Sequence, residues 1–281
     1  MKPANPGVDF IVLVLILATL VVSVQSFKFA LKSPFKGDKS RLTTTQPLEL
    51  QLQQEMPCDI CSLTSRRLEV KYDQEKLCRI CAVVAHPYPA AFCAGYSGSD
   101  NDYVAFMAQA LGRAGVCTAR FYFRSLGVLS QGGDIQDYVE VMHLVKRKLG
   151  CMRGFINAGY SYGAAIAHGA MSVAQKTNKV LGYVGLAPPW SVNFFGDHYE
   201  TQWTMSKDIH VPRIFIFGDQ DTWCSKEQRD HYAKMFVSPS AKFISLPGGD
   251  HFNPVTRETS QYLMLAIKTG ARTVLSFHGM K

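Results

Sequence analysis

Gly154-Phe155-Ile156-Asn157-Ala158-Gly159-Tyr160-Ser161-Tyr162-Gly163-Ala164-Ala165-Ile166-Ala167 is the stretch from which the rest of the chain is read. Residues 154–159 read as a short apolar strand, and the small residues from Ala164 onward as the start of a helix. Ser161 stands at the turn between them, in the pattern G-x-S-x-G. A serine held on so tight a strand-to-helix turn has strained backbone angles, so the residues two positions away must lack bulk. Gly159 and Gly163 provide that clearance, and Ala164 and Ala165 let the helix lie close against a sheet.

Working outward, short apolar runs alternate with helical stretches. Strands are expected at 68–72, 79–85, 116–123, 154–159, 180–186, 213–217 and 242–246, and helices at 102–113, 135–148, 162–176, 226–236 and 256–269. Strands separated by helices of this length imply right-handed crossovers. The expected fold class is therefore α/β: a doubly wound, mostly parallel sheet with helices on both faces. In such a sheet the chemistry gathers beyond the carboxyl ends of the strands.

A serine hydroxyl is a poor nucleophile without a base within hydrogen-bond reach. Of the eight histidines, His251 stands in the loop Gly248-Gly249-Asp250-His251-Phe252, just past the last strong strand. His168 lies inside the helix that follows Ser161, and His231 lies in a helix with an apolar face. The base needs an acid to hold its tautomer. The strand at 213–217 runs into Gly218-Asp219-Gln220-Asp221, and Asp221 is favoured because Asp219, at the tight strand exit, suits bonding to turn amides. Acyl transfer also needs two backbone N–H groups aimed at the developing oxyanion. Tyr162 supplies one. In His86-Pro87-Tyr88-Pro89 the prolines lack an N–H, which leaves Tyr88 for the other and gives His86 the task of orienting the loop.

Taken together, His86-Pro87-Tyr88-Pro89, Arg120-Phe121-Tyr122-Phe123-Arg124 with Gly127, Ser130 and Gly132, the Ser161 turn, Gly218-Asp219-Gln220-Asp221 and Gly249-Asp250-His251 resemble the small α/β-hydrolases related to dienelactone hydrolases and short-chain acyl esterases. The resemblance covers about residues 68–270. Members commonly read His-Pro-His-Pro in the first motif and carry Gly after the Arg of the second, where this chain has Tyr88 and Ser125. The order Ser161, Asp221, His251 is the order expected of that fold. The resemblance implies hydrolysis of an ester, thioester or related acyl bond in a small-molecule substrate, without metal or other cofactor. A peptidase of the same fold and a non-catalytic binding protein are the competing readings. Between the strands at 180–186 and 213–217, the interval 188–212 is where lids are inserted in this fold. Its Trp190, Phe194 and Trp203 are expected to line an acyl pocket.

The net charge of +8 invites a nucleic-acid partner until it is divided. Lys2, Lys28, Lys32, Lys36, Lys39 and Arg41 against Asp9 and Asp38 place half of it in the first 47 residues, and no basic footprint for nucleic acid remains. The apolar run 10–27 just reaches the roughly 20 residues that span a bilayer, and the basic residues downstream of it predict a cytosolic catalytic domain behind a membrane anchor. Read instead as a signal peptide cleaved near Ser26, the same run leads to the secretory pathway or to organelle import. The expected organisation is an anchor or signal at 1–27, a basic and polar linker at 28–67, and the hydrolase domain at 68–281. Cys58-Asp59-Ile60-Cys61 and Cys78-Arg79-Ile80-Cys81 have zinc-site spacing. Cys78 and Cys81 are expected to face opposite sides of a strand, which disfavours a shared metal. Cys58 and Cys61 suit a disulfide in an oxidising compartment, and Cys117 and Cys151 read as buried small apolar residues.

Overall fold

The structure is a computed structural model that describes residues 68–74, 76–89, 102–124, 133–189, 206, 208–236, 241–254 and 260–280. The apolar run, the linker, Cys58, Cys61, Trp190, Phe194 and Trp203 lie outside the described residues. Among the described residues no helix is long and apolar enough to cross a membrane.

In chain order the elements are β1 (Glu69–Tyr72), β2 (Cys78–Pro89), α1 (Asp102–Gly112), β3 (Cys117–Phe123), α2 (Gly133–Leu149), β4 (Gly150–Tyr160), α3 (Tyr162–Ala174), β5 (Val180–Leu186), β6 (Arg213–Gly218), α4 (Lys226–Met235), β7 (Ala241–Leu246) and α5 (Ser260–Phe277). The sheet has seven strands in the order β1-β3-β2-β4-β5-β6-β7. Among the described residues only the pairing of the edge strand β1 with β3 is antiparallel. Every residue of β5 and β6 is buried, as expected of parallel strands covered on both faces.

Two apolar layers hold the sheet. On one side α2 and α3 pack Ile135, Tyr138, Met142, Ile166 and Met171 against Val83, Phe121, Phe155 and Phe215. On the other, α1 and α5 pack Val104, Met107, Leu111, Leu263, Ile267 and Val274 against Val84, Ile156, Val184 and Ile214. The last helix lies further along the chain than the expected 256–269. Buried Leu263, Ile267, Ala271, Val274 and Leu275 recur at helical spacing as far as residue 275, so the apolar face continues well past Thr269. The α4 helix starts at Ser225, whose hydroxyl accepts from the Gln228 N–H while the Gln228 side chain accepts from the Ser225 N–H, a reciprocal cap.

The cysteines correct the sequence reading. Cys117 and Cys151 are not simple apolar filler: Cys78 is bonded to Cys117, and Cys81 to Cys151. The alternation that was expected to send Cys78 and Cys81 to opposite faces fails at the start of β2, beside a β2–β4 register shift between Cys78 and Ile80. Both cysteines join the same core cluster. One links central strand β2 to β3 and the other links it to β4. Among the described residues no group of three metal-ligating side chains converges. The bonds close sequence separations of 39 and 70 residues. Opening the longer one in a Cys81→Ser/Cys151→Ser double variant is expected to cost about 4 kcal/mol by loop entropy, read as a lower midpoint in urea unfolding.

Candidate active site

The register of the central strands sets the geometry. Ala85 of β2 pairs with Gly159 of β4, and Tyr160 with Leu186 of β5, so the end of β4 emerges between its two neighbours. There the chain turns into α3 through Ser161, whose φ of 50° and ψ of −122° lie outside the regions an L-residue ordinarily adopts. A turn of this kind costs of order 1–3 kcal/mol and persists only where its surroundings fix it. The Ser161 N–H donates to the Leu186 carbonyl at 2.8 Å, and its own carbonyl accepts from Ala164 and Ala165 at 2.9 and 3.1 Å. A Cβ on Gly159 would strike the Gly163 backbone, and one on Gly163 would strike the Ala85 and His86 carbonyls. Both glycines are therefore required by close approach of backbone.

Loops after β6 and β7 bring the other residues to this turn. Ser161 Oγ lies 2.7 Å from His251 Nε2. His251 Nδ1 lies 3.2 Å from each carboxylate oxygen of Asp221. The side chains of His251 and Asp221 are 3% and 0% exposed, so the pair is shielded from competing water. The Trp223 N–H donates to Asp221 Oδ1 at 2.9 Å and fixes the carboxylate. Asp219 does what its place at the strand exit suggested: its Oδ1 accepts from the Gly248 N–H at 2.8 Å, tying the β6 loop to the β7 loop. Asp250 accepts from the N–H groups of Phe252 and Asn253 at 2.8 and 2.6 Å and so shapes the turn that carries His251.

The remaining candidates are placed as follows. His168 is buried within α3 against the rings of Tyr183, Phe215 and Phe236, away from the Ser161 hydroxyl. Burial, and then the nearby Arg213, push its pKa well below the usual histidine value. His86 is buried and stacks on Tyr122 with ring centroids 3.7 Å apart. Tyr88 lies within β2, which runs through both prolines to Pro89, and Tyr162 is the first residue of α3, where N–H groups have no acceptor within the helix.

Two neighbours of His251 were not singled out from sequence. The Trp223 ring stacks on His251 at 4.5 Å and 21°, and the Tyr160 hydroxyl donates to the His251 carbonyl at 2.9 Å. Their positions carried a signal: Trp223 follows Asp221 by two residues, and Tyr160 occupies the variable position immediately before Ser161.

With the site defined, the chain can be compared with known proteins. The family described as Serine hydrolase (FSH1) matches residues 82–263, well over half of the chain and all three of Ser161, Asp221 and His251. The chain belongs to this serine hydrolase family. No curated protein matches the hydrolase sequence significantly. Its fold is similar to that of an alpha-beta serine hydrolase homologue from Coxiella burnetii, with 24% identity over 72% of this chain and 89% of that one and a TM-score of 0.54. It is similar also to an a/b serine hydrolase without lid from Xanthomonas campestris, at 22% identity, 73% and 87% coverage and a TM-score of 0.54. A third likeness is Est1E from Butyrivibrio proteoclasticus, at 14% identity, 74% and 94% coverage and a TM-score of 0.54. At these identities the likeness shows the α/β-hydrolase fold.

The close approach at Gly163 gives a direct test of the turn. Gly163→Ala is expected to cost about 1–3 kcal/mol by overpacking, measured by urea unfolding, because α3 or the end of β2 must move to admit the methyl group.

Proposed function

We propose that this serine hydrolase cleaves an ester, thioester or related acyl bond of a small-molecule substrate through a covalent acyl-enzyme. The observation that carries the reading is the continuous chain from Ser161 Oγ through His251 to Asp221. Ser161 Oγ attacks the acyl carbonyl carbon while His251 Nε2 accepts its proton. Asp221 holds Nδ1–H and stabilises the imidazolium. The carbonyl oxygen gains negative charge and is held by the Tyr162 and Tyr88 N–H groups. Collapse expels the alcohol or thiol, which takes the proton from His251. Water, deprotonated by the same imidazole, then attacks the acyl-serine and releases the carboxylic acid. Trp190, Phe194 and Trp203 are assigned to the acyl pocket. A ferulic acid complex of Est1E lends support to a carboxylic acyl group as the substrate class.

The test is labelling with a fluorophosphonate. Wild type is expected to label and Ser161→Ala to be silent; an unlabelled wild type, or equal labelling of the variant, would refute the reading. Asp221→Asn is expected to lower kcat by roughly 10⁴ through the wrong imidazole tautomer, while Asp219→Asn, which touches only the loop tie, stays within about tenfold of wild type.

We also infer that the domain folds in an oxidising compartment. Cytosolic thiol pools keep cysteines reduced, so Cys78–Cys117 and Cys81–Cys151 weigh against the cytosolic placement that the basic residues after the apolar run predict. They favour its reading as a route into the secretory pathway. Alkylation of the full chain isolated from its native cells is expected to find these four thiols blocked until a reductant is added. Four freely alkylated thiols would return the domain to the cytosol.

A further inference from the structure

We infer that Asp134 and Tyr138, one turn apart on α2, are positioning residues that set the oxyanion hole from behind. The inference rests on the acyl-transfer reading above and adds to it a second tier of residues that never meet substrate.

Asp134 lies in the first turn of α2 and is fully buried. The Tyr162 hydroxyl donates to its Oδ2. Tyr162 is the residue after the nucleophile, and its backbone N–H is the proposed oxyanion donor. Its ring is held edge-on by Phe123 at 5.5 Å. With the phenol tied at its far end and gripped along its side, the peptide joining Ser161 to Tyr162 has little freedom to rotate. A carboxylate in the first turn of a helix is also favoured by the helix dipole, so Asp134 is a stable anchor.

Tyr138 fixes the opposite side. It is fully buried, and its hydroxyl donates to the Val83 carbonyl at 2.6 Å and accepts from the Ala158 N–H at 2.9 Å. Burial pushes its pKa far above the usual tyrosine value, so it stays a neutral donor. Val83 belongs to β2, which carries Tyr88 five residues later, and Ala158 belongs to β4, which ends one residue before Ser161. One phenol oxygen thus sets the spacing of the two strands that deliver the two oxyanion N–H groups. The rest of the buried face of α2 is mostly apolar, with Val139, Val141, Met142, Val145 and Leu149. The polar contacts of Asp134 and Tyr138 are aimed at the elbow and its neighbouring strand.

The experiment compares Tyr162→Phe, Asp134→Asn and Asp134→Leu in the full chain. It measures kcat and KM on p-nitrophenyl esters, affinity for a trifluoromethyl ketone as a mimic of the tetrahedral oxyanion, and thermal unfolding. Removing a whole oxyanion donor costs about 10²–10³ in kcat, so loosening one is expected to cost roughly tenfold. Tyr162→Phe and Asp134→Leu should lose that factor in kcat with KM within about twofold, and ketone affinity should weaken by the same factor as kcat/KM. Asp134→Asn keeps an acceptor for the hydroxyl and should recover most of the loss. If Asp134→Leu does not fold, Tyr162→Phe, which keeps the ring against Phe123, decides. Folded variants with unchanged kcat and ketone affinity, or a loss confined to KM or to the melting temperature, would overturn the inference. A wild type that neither labels with fluorophosphonate nor turns over esters would overturn the acyl-transfer reading and this inference with it.

Discussion

The structure turns on one unfavourable backbone conformation, the left-handed φ at Ser161. A serine in a relaxed strand or helix would present its hydroxyl along the sheet or into the next turn. Held at the apex of the elbow, it stands clear of both. The surroundings that hold it there are specific: a ladder partner in Leu186, two glycines where backbones nearly touch, and a helix start that accepts the chain at once. The parallel sheet, with its strands buried on both sides, is the rigid frame that makes such strain tolerable, since each neighbour of the turn is fixed by its own hydrogen bonds.

The same frame solves a second problem, that of burying charge. A carboxylate and an imidazole removed from water are costly unless each polar atom is met. Asp221 is met by His251 and by the Trp223 amide, and the imidazole is covered on one face by an indole. A cation that forms during turnover would sit against the electron-rich face of that ring, an arrangement worth about 0.5–2 kcal/mol. The aromatic shell thus excludes water without abandoning the charge that the chemistry creates.

Much of this was legible in the sequence, for reasons that are local. The elbow declares itself because glycine spacing answers a steric need within five residues. The strands β4, β5 and β6 declare themselves because burial on both faces demands near-continuous apolar runs. Asp219 and Asp221 could be told apart because a carboxylate at a strand exit has turn amides within reach. What was not legible is what depends on register. Strict alternation sends Cys78 and Cys81 to opposite faces, yet both join one core cluster, at a point where the β2–β4 register shifts. No periodicity reports where a strand slips against its neighbour. Nor does any local pattern say that the indole of Trp223 folds back on an imidazole 28 positions later, or that a helix carboxylate finds the phenol after the nucleophile. The extra length of α5 was available, since Ala271, Val274 and Leu275 continue its face.

The placement of the two disulfides has a consequence for the order in which the molecule becomes an enzyme. The four bonded cysteines lie between residues 78 and 151, at the amino ends of β2, β3 and β4 and thus at the opposite end of the strands from Ser161. Synthesis at roughly 5–20 residues per second delivers every one of them before the serine, and both Asp221 and His251 long after. The covalent half of the sheet can therefore be closed while the nascent chain still lacks Asp221 and His251. Until the final two strands dock, Ser161 has no imidazole within hydrogen-bond reach.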